Sequence, residues 1–125
     1  WQHQVRIGIG SDVGAGTSFS LLRTLGEAYK VAQLQSYRLR ASEAFYHATL
    51  GGAHALRLDD KIGNFQSGKE ADLVVIDPAV TPLQRLRSAR CQDVYEQLFV
   101  LMTVGDERNI SETWVNGEQV WCNEG

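Results

Sequence analysis

Cysteine is scarce in this sequence, with only Cys91 and Cys122 among 125 residues. The two lie far apart and lack the spacing of a metal site, so a disulfide framework or a small zinc module is not expected. A reduced, cytoplasmic protein fits this cysteine content better than a secreted one. No apolar run approaches the roughly 20 residues that a membrane helix needs, and no signal peptide is visible. We therefore expect no membrane partner.

The sequence also lacks an excess of positive charge, because it has 12 basic and 15 acidic residues and a net charge of −3. Such a chain has no basic field that would attract nucleic acid or anionic lipid. One loose basic cluster, formed by Arg85, Arg87 and Arg90, is better explained as a solvated face than as a phosphate site. No P-loop, dinucleotide-binding glycine motif or nucleophile elbow is present. The hydrophobic fraction of 43% is that of an ordinary globular domain.

The N-terminal third predicts a strand, a turn and a helix. Apolar residues alternate over 5–9, which predicts a short strand. The glycine-rich segment 11–16, Ser-Asp-Val-Gly-Ala-Gly, predicts a turn with close backbone approach. Thr17 or Ser18 is placed to cap a helix that runs to about Gln35.

The remaining sequence predicts further helices, a second strand and a hairpin. In chain order these are a helix from near Ala41 interrupted by Gly51 and Gly52, a strand at Leu73–Ile76, a short helix opened by Pro82, a helix over about 92–104, and a hairpin turning at Asn116–Gly117. One early strand cannot form a parallel sheet by itself. The order therefore indicates the end of an α/β domain joined to part of another layer.

Asp12 is the one residue singled out for chemistry. It follows the first predicted strand, and catalytic groups of parallel-strand barrels lie at that end of the strands. A carboxylate there can bind a divalent metal or move a proton. From the motif alone, a plain turn residue is the favoured interpretation, because Ser-Asp followed by glycine is common in turns.

The other candidates are weaker. His3, His47 and His54 show none of the paired spacings of metal-binding histidines. His47 has apolar neighbours on a predicted helix and is expected to be a packed or surface residue, whereas His54 is expected to face solvent or a domain contact. Glu43 follows a helix start and is expected to serve the helix dipole.

The wider pattern is more informative than any one motif. The segment Ile7–Leu22 (IGIGSDVGAGTSFSLL) resembles the last barrel strand and loop of the amidohydrolase superfamily, where an aspartate after serine or threonine is the final metal-binding residue. The similarity continues through Glu43–Leu56, through Ile62–Asp77, in which a Gly-Lys-x-Ala-Asp motif precedes an apolar strand, and through a closing hairpin at Val115–Trp121.

Within that superfamily, the sequence most resembles those of the guanine deaminases. Three segments have this narrower similarity: Thr17–Gln35, Lys61–Phe65 and Leu98–Ile110. The resemblance covers nearly the whole chain. Trp1 is not an initiator residue and lies just before an apolar strand, so we expect the sequence to be part of a larger protein.

The resemblance implies a fold and a division of the chain. It implies an α/β protein in which residues 1–57 supply the last strand and C-terminal helices of a metal-dependent amidohydrolase TIM barrel. Residues 58–125 would form part of the small β-sandwich domain, with one helix over about 92–104 and the C-terminal hairpin. Exposed apolar faces in such a fragment favour association, so a homo-oligomer is expected.

The resemblance also implies an activity, the hydrolytic deamination of guanine to xanthine and ammonia in purine catabolism. A zinc ion would activate the water, and Asp12, by its matching position, would ligate that zinc and accept the proton of the water. The histidine ligands, the catalytic glutamate and the substrate-binding residues of the family would lie upstream, so the isolated chain is expected to be inactive and to hold zinc weakly. Two alternatives stay open: the tail of another aminohydrolase, or a non-catalytic assembly module.

Overall fold

The computed structural model describes residues 5–123. Over that range the chain forms five helices, a short 3₁₀ turn at Glu107–Asn109 and three strands. In chain order they are α1 (Leu21–Leu34), α2 (Ala41–Ala48), α3 (Leu50–Leu56), β1 (Leu73–Ile76), α4 (Pro82–Ser88), α5 (Val94–Val104), β2 (Ile110–Val115) and β3 (Glu118–Cys122). Within residues 5–123, no helix combines the length and the apolar character that crossing a membrane requires.

Helix α1 confirms the first predicted helix and buries Leu22 and Leu25 on its apolar face. Its start differs from the prediction, because Ser20 occupies the N-cap position. The Ser18 hydroxyl instead accepts a hydrogen bond from the Ser20 backbone N–H at 3.0 Å. The helix therefore starts later in the chain than capping at Thr17 or Ser18 predicted.

The break between α2 and α3 falls at Thr49, whose backbone has φ −124° and ψ −105°. Its hydroxyl donates to the Phe45 carbonyl at 2.8 Å, and this back-bonding of threonine to the preceding turn competes with the helical pattern. Gly51 and Gly52 lie inside α3. The prediction that these glycines interrupt the helix is therefore wrong by two to three positions.

The sheet is antiparallel, with the strand order β1-β2-β3. Leu73 pairs with Trp114 across the first interface, and Val115 pairs with Glu118 at the hairpin end. Asn116 and Gly117 both have positive φ, 50° and 81°, as a type I′ turn requires. The predicted strand at 73–76 and the predicted hairpin are both confirmed.

The strand predicted over residues 5–9 is not formed. A strand needs a neighbour to satisfy its backbone N–H and C=O groups, and in the part of the chain that the structure describes no strand lies beside it. The segment lies along α2 and α3 instead, where the Ile9 N–H donates to the His47 carbonyl at 3.1 Å.

One apolar core joins the early and late helices. Its buried members come from α1, the connection after it, α2 and α5: Leu22, Leu25, Leu39, Ala41, Ala44 and Met102. Tyr29 of α1 meets Phe99 of α5 edge to face, with ring centroids 5.6 Å apart. Helices from both predicted segments, 1–57 and 58–125, therefore share one core. The boundary near residue 57 stays a prediction.

Candidate functional site

Asp12 lies in an exposed turn with φ 48°, a left-handed conformation that aspartate tolerates better than most residues. Its backbone carbonyl accepts hydrogen bonds from the Ala15 N–H, at 3.0 Å, and from the Gly16 N–H. The backbone of Asp12 thus closes the turn, and no hydrogen bond or ion pair within residues 5–123 involves its carboxylate. That carboxylate is available to an outside ligand.

The turn after Asp12 has a shape that only glycine allows at position 16. A Cβ on Gly16 would lie 1.9 Å from the Ser11 carbonyl oxygen, far inside van der Waals contact. The backbone of residue 16 therefore folds tightly over residue 11. The glycine-rich pattern of 11–16 predicted this close approach, and the structure confirms it.

The segment before the turn is attached to α2 and α3. His47 is buried, with 6% of its surface exposed, and its Nδ1 lies 3.2 Å from the Ile7 carbonyl oxygen. Because a carbonyl only accepts, Nδ1 is the donor of this bond. The Arg6 guanidinium reaches across to donate to the His54 carbonyl at 3.1 Å. His47 is therefore packed, which is one of the two places that the sequence left open for it.

The other candidate residues have structural partners of their own. His54 Nδ1 lies 3.0 Å from the Asp59 carboxylate on the partly exposed side of α3. Glu43, in the first turn of α2, accepts a hydrogen bond from the Tyr37 hydroxyl. His3 lies outside the described residues.

The side chains between residues 5 and 123 do not bring together a full set of zinc ligands. No group of three or more His, Cys, Asp or Glu side chains in that range is arranged to hold a metal, whereas a catalytic zinc takes about three protein ligands. An exposed carboxylate such as Asp12 fits one ligand position. The donor set present is therefore incomplete.

A buried polar cluster was missed by the sequence analysis. The side chains of Gln84 and Asn109 are only 1% and 0% exposed. Thr81 and Gln84 form a capping box at the start of α4. The pattern Thr-x-x-Gln is itself a sequence signature of such a box, so the capping role of Gln84 could have been found from the sequence. Its contact with Asn109, 25 positions later, has no local signal.

Asp106 lies beside that cluster and is tied to two arginines. Arg108 donates to its carboxylate from Nε at 3.0 Å and from a terminal nitrogen at 2.7 Å, and Arg23 of α1 approaches to 3.7 Å. The hydrogen bond from the Arg108 side chain is the main cause that lowers the pKa of Asp106, against the opposing effect of burial. Asp106 therefore remains a carboxylate anchor between α1 and the 3₁₀ turn.

A groove of about 1050 Å³ lies between the connection after α1 and the start of α5. Arg87 and Arg90 of the predicted basic cluster line it, together with Arg38 and Arg40. Arg85 instead donates to the Ala79 carbonyl at 3.2 Å. All three residues of the predicted cluster are exposed, which agrees with a solvated face.

Residues 1–120 match the model of the amidohydrolase family. The chain belongs to that family, and its expected α/β class is confirmed by the helices and the small antiparallel sheet. Among curated proteins, the guanine deaminase of Escherichia coli (strain K12) is 59% identical over 121 residues, which cover 97% of this chain and 28% of that protein. This chain therefore spans less than a third of the relative that it matches.

Solved structures of deaminases are also similar to this chain. The E. coli guanine deaminase structure superposes with a TM-score of 0.96 at 57% identity, over 99% of this chain and 29% of that one. A guanine deaminase from C. acetobutylicum with guanine bound in its active site gives 0.69 at 29% identity, over 91% of this chain and 27% of that one. An adenosine deaminase from Xanthomonas campestris with bound zinc superposes with a TM-score of 0.60 at 29% identity, over 78% of this chain and 20% of that one.

Proposed function

We propose that this chain is the C-terminal part of a guanine deaminase, which hydrolyses guanine to xanthine and ammonia in purine catabolism. The observation that carries the proposal is the 59% identity to the E. coli enzyme over 97% of this chain. The TM-score of 0.96 supports it, because the described backbone then differs little from the same part of a guanine deaminase.

Asp12 is the residue to which we assign chemistry in this part of the enzyme. Its carboxylate has no hydrogen bond or ion pair within residues 5–123. Asp12 lies in the glycine-containing turn 11–16, directly after the segment that reads as a strand. We assign it one metal-ligand position and the acceptance of a proton from the attacking water. Zinc, where the complete ligand set holds it, supplies a water of lowered pKa; the other ligands belong to the remainder of the enzyme.

The proposed placement in the enzyme explains two features of the fold. Residues 5–9 have the alternation of a strand but no strand partner in the described range, as expected for the last strand of a TIM barrel. Leu73–Ile76 and the hairpin form a separate, three-stranded antiparallel sheet. We therefore propose that 1–57 close the barrel and that 58–125 belong to the small β-rich domain.

We also propose that the enzyme is cytoplasmic. Both cysteines, Cys91 and Cys122, are free thiols, and the cytoplasm keeps thiols reduced.

The proposal is tested on the full-length enzyme. Purified protein is assayed with guanine and, in parallel, with adenosine and cytosine, and the ammonia released from each substrate is measured. We expect guanine to be the preferred substrate. Preference for adenosine would favour the second candidate, another aminohydrolase, for which the similarity to the zinc-containing adenosine deaminase is the specific support.

The assignment of Asp12 is tested by Asp12→Ala and Asp12→Asn in the same enzyme. Removing a residue that ligates the metal and moves a proton should lower kcat by at least about 100-fold, since general acid–base catalysis alone contributes 10²–10⁴-fold. Asp59→Asn is the matched control, because Asp59 pairs with His54 away from the turn. Undiminished guanine turnover in Asp12→Ala would refute the assignment.

A further inference from the structure

The segment that leads to Asp12 makes hydrogen bonds to α2 and α3. His47 holds it twice: Nδ1 donates to the Ile7 carbonyl at 3.2 Å, and its own carbonyl accepts from the Ile9 N–H at 3.1 Å. The Arg6 side chain adds a third bond, to the His54 carbonyl. Gly8, between Ile7 and Ile9, lies so close to α3 that an added Cβ would be 3.0 Å from the Gly52 Cα.

We propose that His47 is a positioning residue for the deaminase reaction: by its two hydrogen bonds to Ile7 and Ile9 it sets the place of the Asp12 carboxylate. This inference rests on the proposed function, because it gives His47 a task only if Asp12 has one.

The two bonds have different origins and different sensitivities to substitution. The bond from the Ile9 N–H to residue 47 uses the backbone carbonyl, so it survives any change of side chain. The bond to the Ile7 carbonyl uses the imidazole, and its loss leaves a carbonyl at a part-buried contact without that donor. Such a loss favours displacement of the segment toward another donor or toward water.

Loss of the imidazole bond at Ile7 leaves fewer contacts to hold the segment before Asp12, so the turn at Asp12 is less firmly placed. Ile9 packs against the apolar core, and Asp12 begins a turn that its own carbonyl closes onto Ala15 and Gly16. Reacting groups tolerate little error, since a misplacement of about 1 Å costs on the order of 100-fold in rate. A residue that touches neither substrate nor metal can therefore control the rate.

The experiment compares His47→Leu with His47→Asn in the full-length enzyme. Leucine fills much of the imidazole volume without a donor, whereas the asparagine amide N–H₂ stands near the place of Nδ1 and can donate to the Ile7 carbonyl. His54→Leu is the matched control, because the His54 side chain pairs with Asp59 and only its backbone carbonyl meets Arg6. Activity is measured per folded molecule, well below the melting temperature.

We expect His47→Leu to lower kcat for guanine by about 10- to 100-fold with KM changed less than about threefold, and His47→Asn to recover most of the rate. A second readout is hydrogen exchange of the peptides covering residues 5–16. Exchange should accelerate there in His47→Leu, while the α5 peptides stay as in the wild type. A merely structural role would instead accelerate exchange throughout or lower the melting temperature without changing kcat per folded molecule.

The outcomes separate the two proposals. If the wild-type enzyme does not deaminate guanine, the proposed function fails before the variants are compared. If the wild type is active and His47→Leu retains kcat within twofold, or if His47→Asn is no better than His47→Leu, the positioning role is overturned.

Discussion

The side chains of Gln84 and Asn109 face each other as two buried amides that exchange hydrogen bonds. Gln84 Nε2 donates to Asn109 Oδ1 at 3.0 Å, and Asn109 Nδ2 donates to Gln84 Oε1 at 3.1 Å. The same amides also reach the backbone, at the Val104 and Asp77 carbonyls. The pair therefore joins α4, the end of α5 and the end of β1, and it couples the helical layer to the sheet.

Replacing Gln84 by methionine tests this coupling. Methionine has a similar volume but no strong donor or acceptor, so Asn109 loses a buried partner and the Val104 carbonyl loses a part-buried one. An unsatisfied buried group costs about 1–3 kcal/mol, and we expect a loss of that order, seen as a lower thermal unfolding midpoint of the full-length enzyme. Gln33→Met, at an exposed position of α1, is the control. Equal midpoints for both variants would contradict the role of the pair.

Asp106 predicts a dependence of stability on pH. Its pKa in the folded chain is lowered from 3.8, chiefly by the hydrogen bond from the Arg108 side chain. A lowered pKa means that the stabilisation is present above the ordinary value and is lost as the pH falls through the folded value. Asp106→Asn should therefore melt below the wild type at pH 7, and the difference should narrow as the pH falls below about 4.

The measurement for Asp106 is a series of melting curves between pH 7 and pH 3 for the wild type and Asp106→Asn. Asp60→Asn is the control, because Asp60 is exposed and takes part in none of the ion pairs found within residues 5–123. A difference between wild type and Asp106→Asn that stays constant over the whole pH range would show that the carboxylate charge contributes nothing.

Elements with a local cause could be predicted from the sequence. The hairpin was predictable because Asn116 and Gly117 accept the positive φ that a type I′ turn requires. Helix α4 was predictable because Pro82 suits the first helical position. The tight turn after Asp12 followed from its glycines. In each case, the residues that determine the backbone are neighbours in sequence.

Features that depend on distant partners could not be predicted in the same way. Residues 5–9 alternate as a strand does, but pairing needs a second strand, and periodicity does not reveal whether one lies alongside. The contact between His47 and Ile7 joins residues 40 positions apart, and the Gln84–Asn109 pair spans 25. For Asp12, the residue and the turn could be identified from the sequence, whereas the chemistry that we propose for it rests on the similarity to guanine deaminases.

The isolated 125-residue chain should neither turn over guanine nor bind zinc tightly. No cluster of three potential ligands exists in the range that the structure covers, and a single carboxylate cannot complete a zinc site that takes about three protein ligands. Equilibrium dialysis against zinc and a xanthine assay check both statements, with circular dichroism to verify that the chain is helical. The full-length enzyme is the positive control. Turnover by the chain at a rate near that of the enzyme would overturn the prediction.

The isolated chain should also self-associate, because it leaves large apolar side chains in contact with water. Phe19, Leu34 and Phe65 are each more than four-fifths exposed, at 86%, 82% and 88%. Soluble monomers rarely expose extended apolar surface, and burying it between copies is favourable at roughly 25 cal/mol per Å². Sedimentation equilibrium over a wide range of concentrations should show species larger than 13.9 kDa. Replacing Phe19 and Phe65 together by serine should weaken the association, whereas Lys61→Ser, an exposed polar change, should not. A single species of monomer mass at every concentration would exclude this behaviour and leave the exposed side chains without a role in assembly.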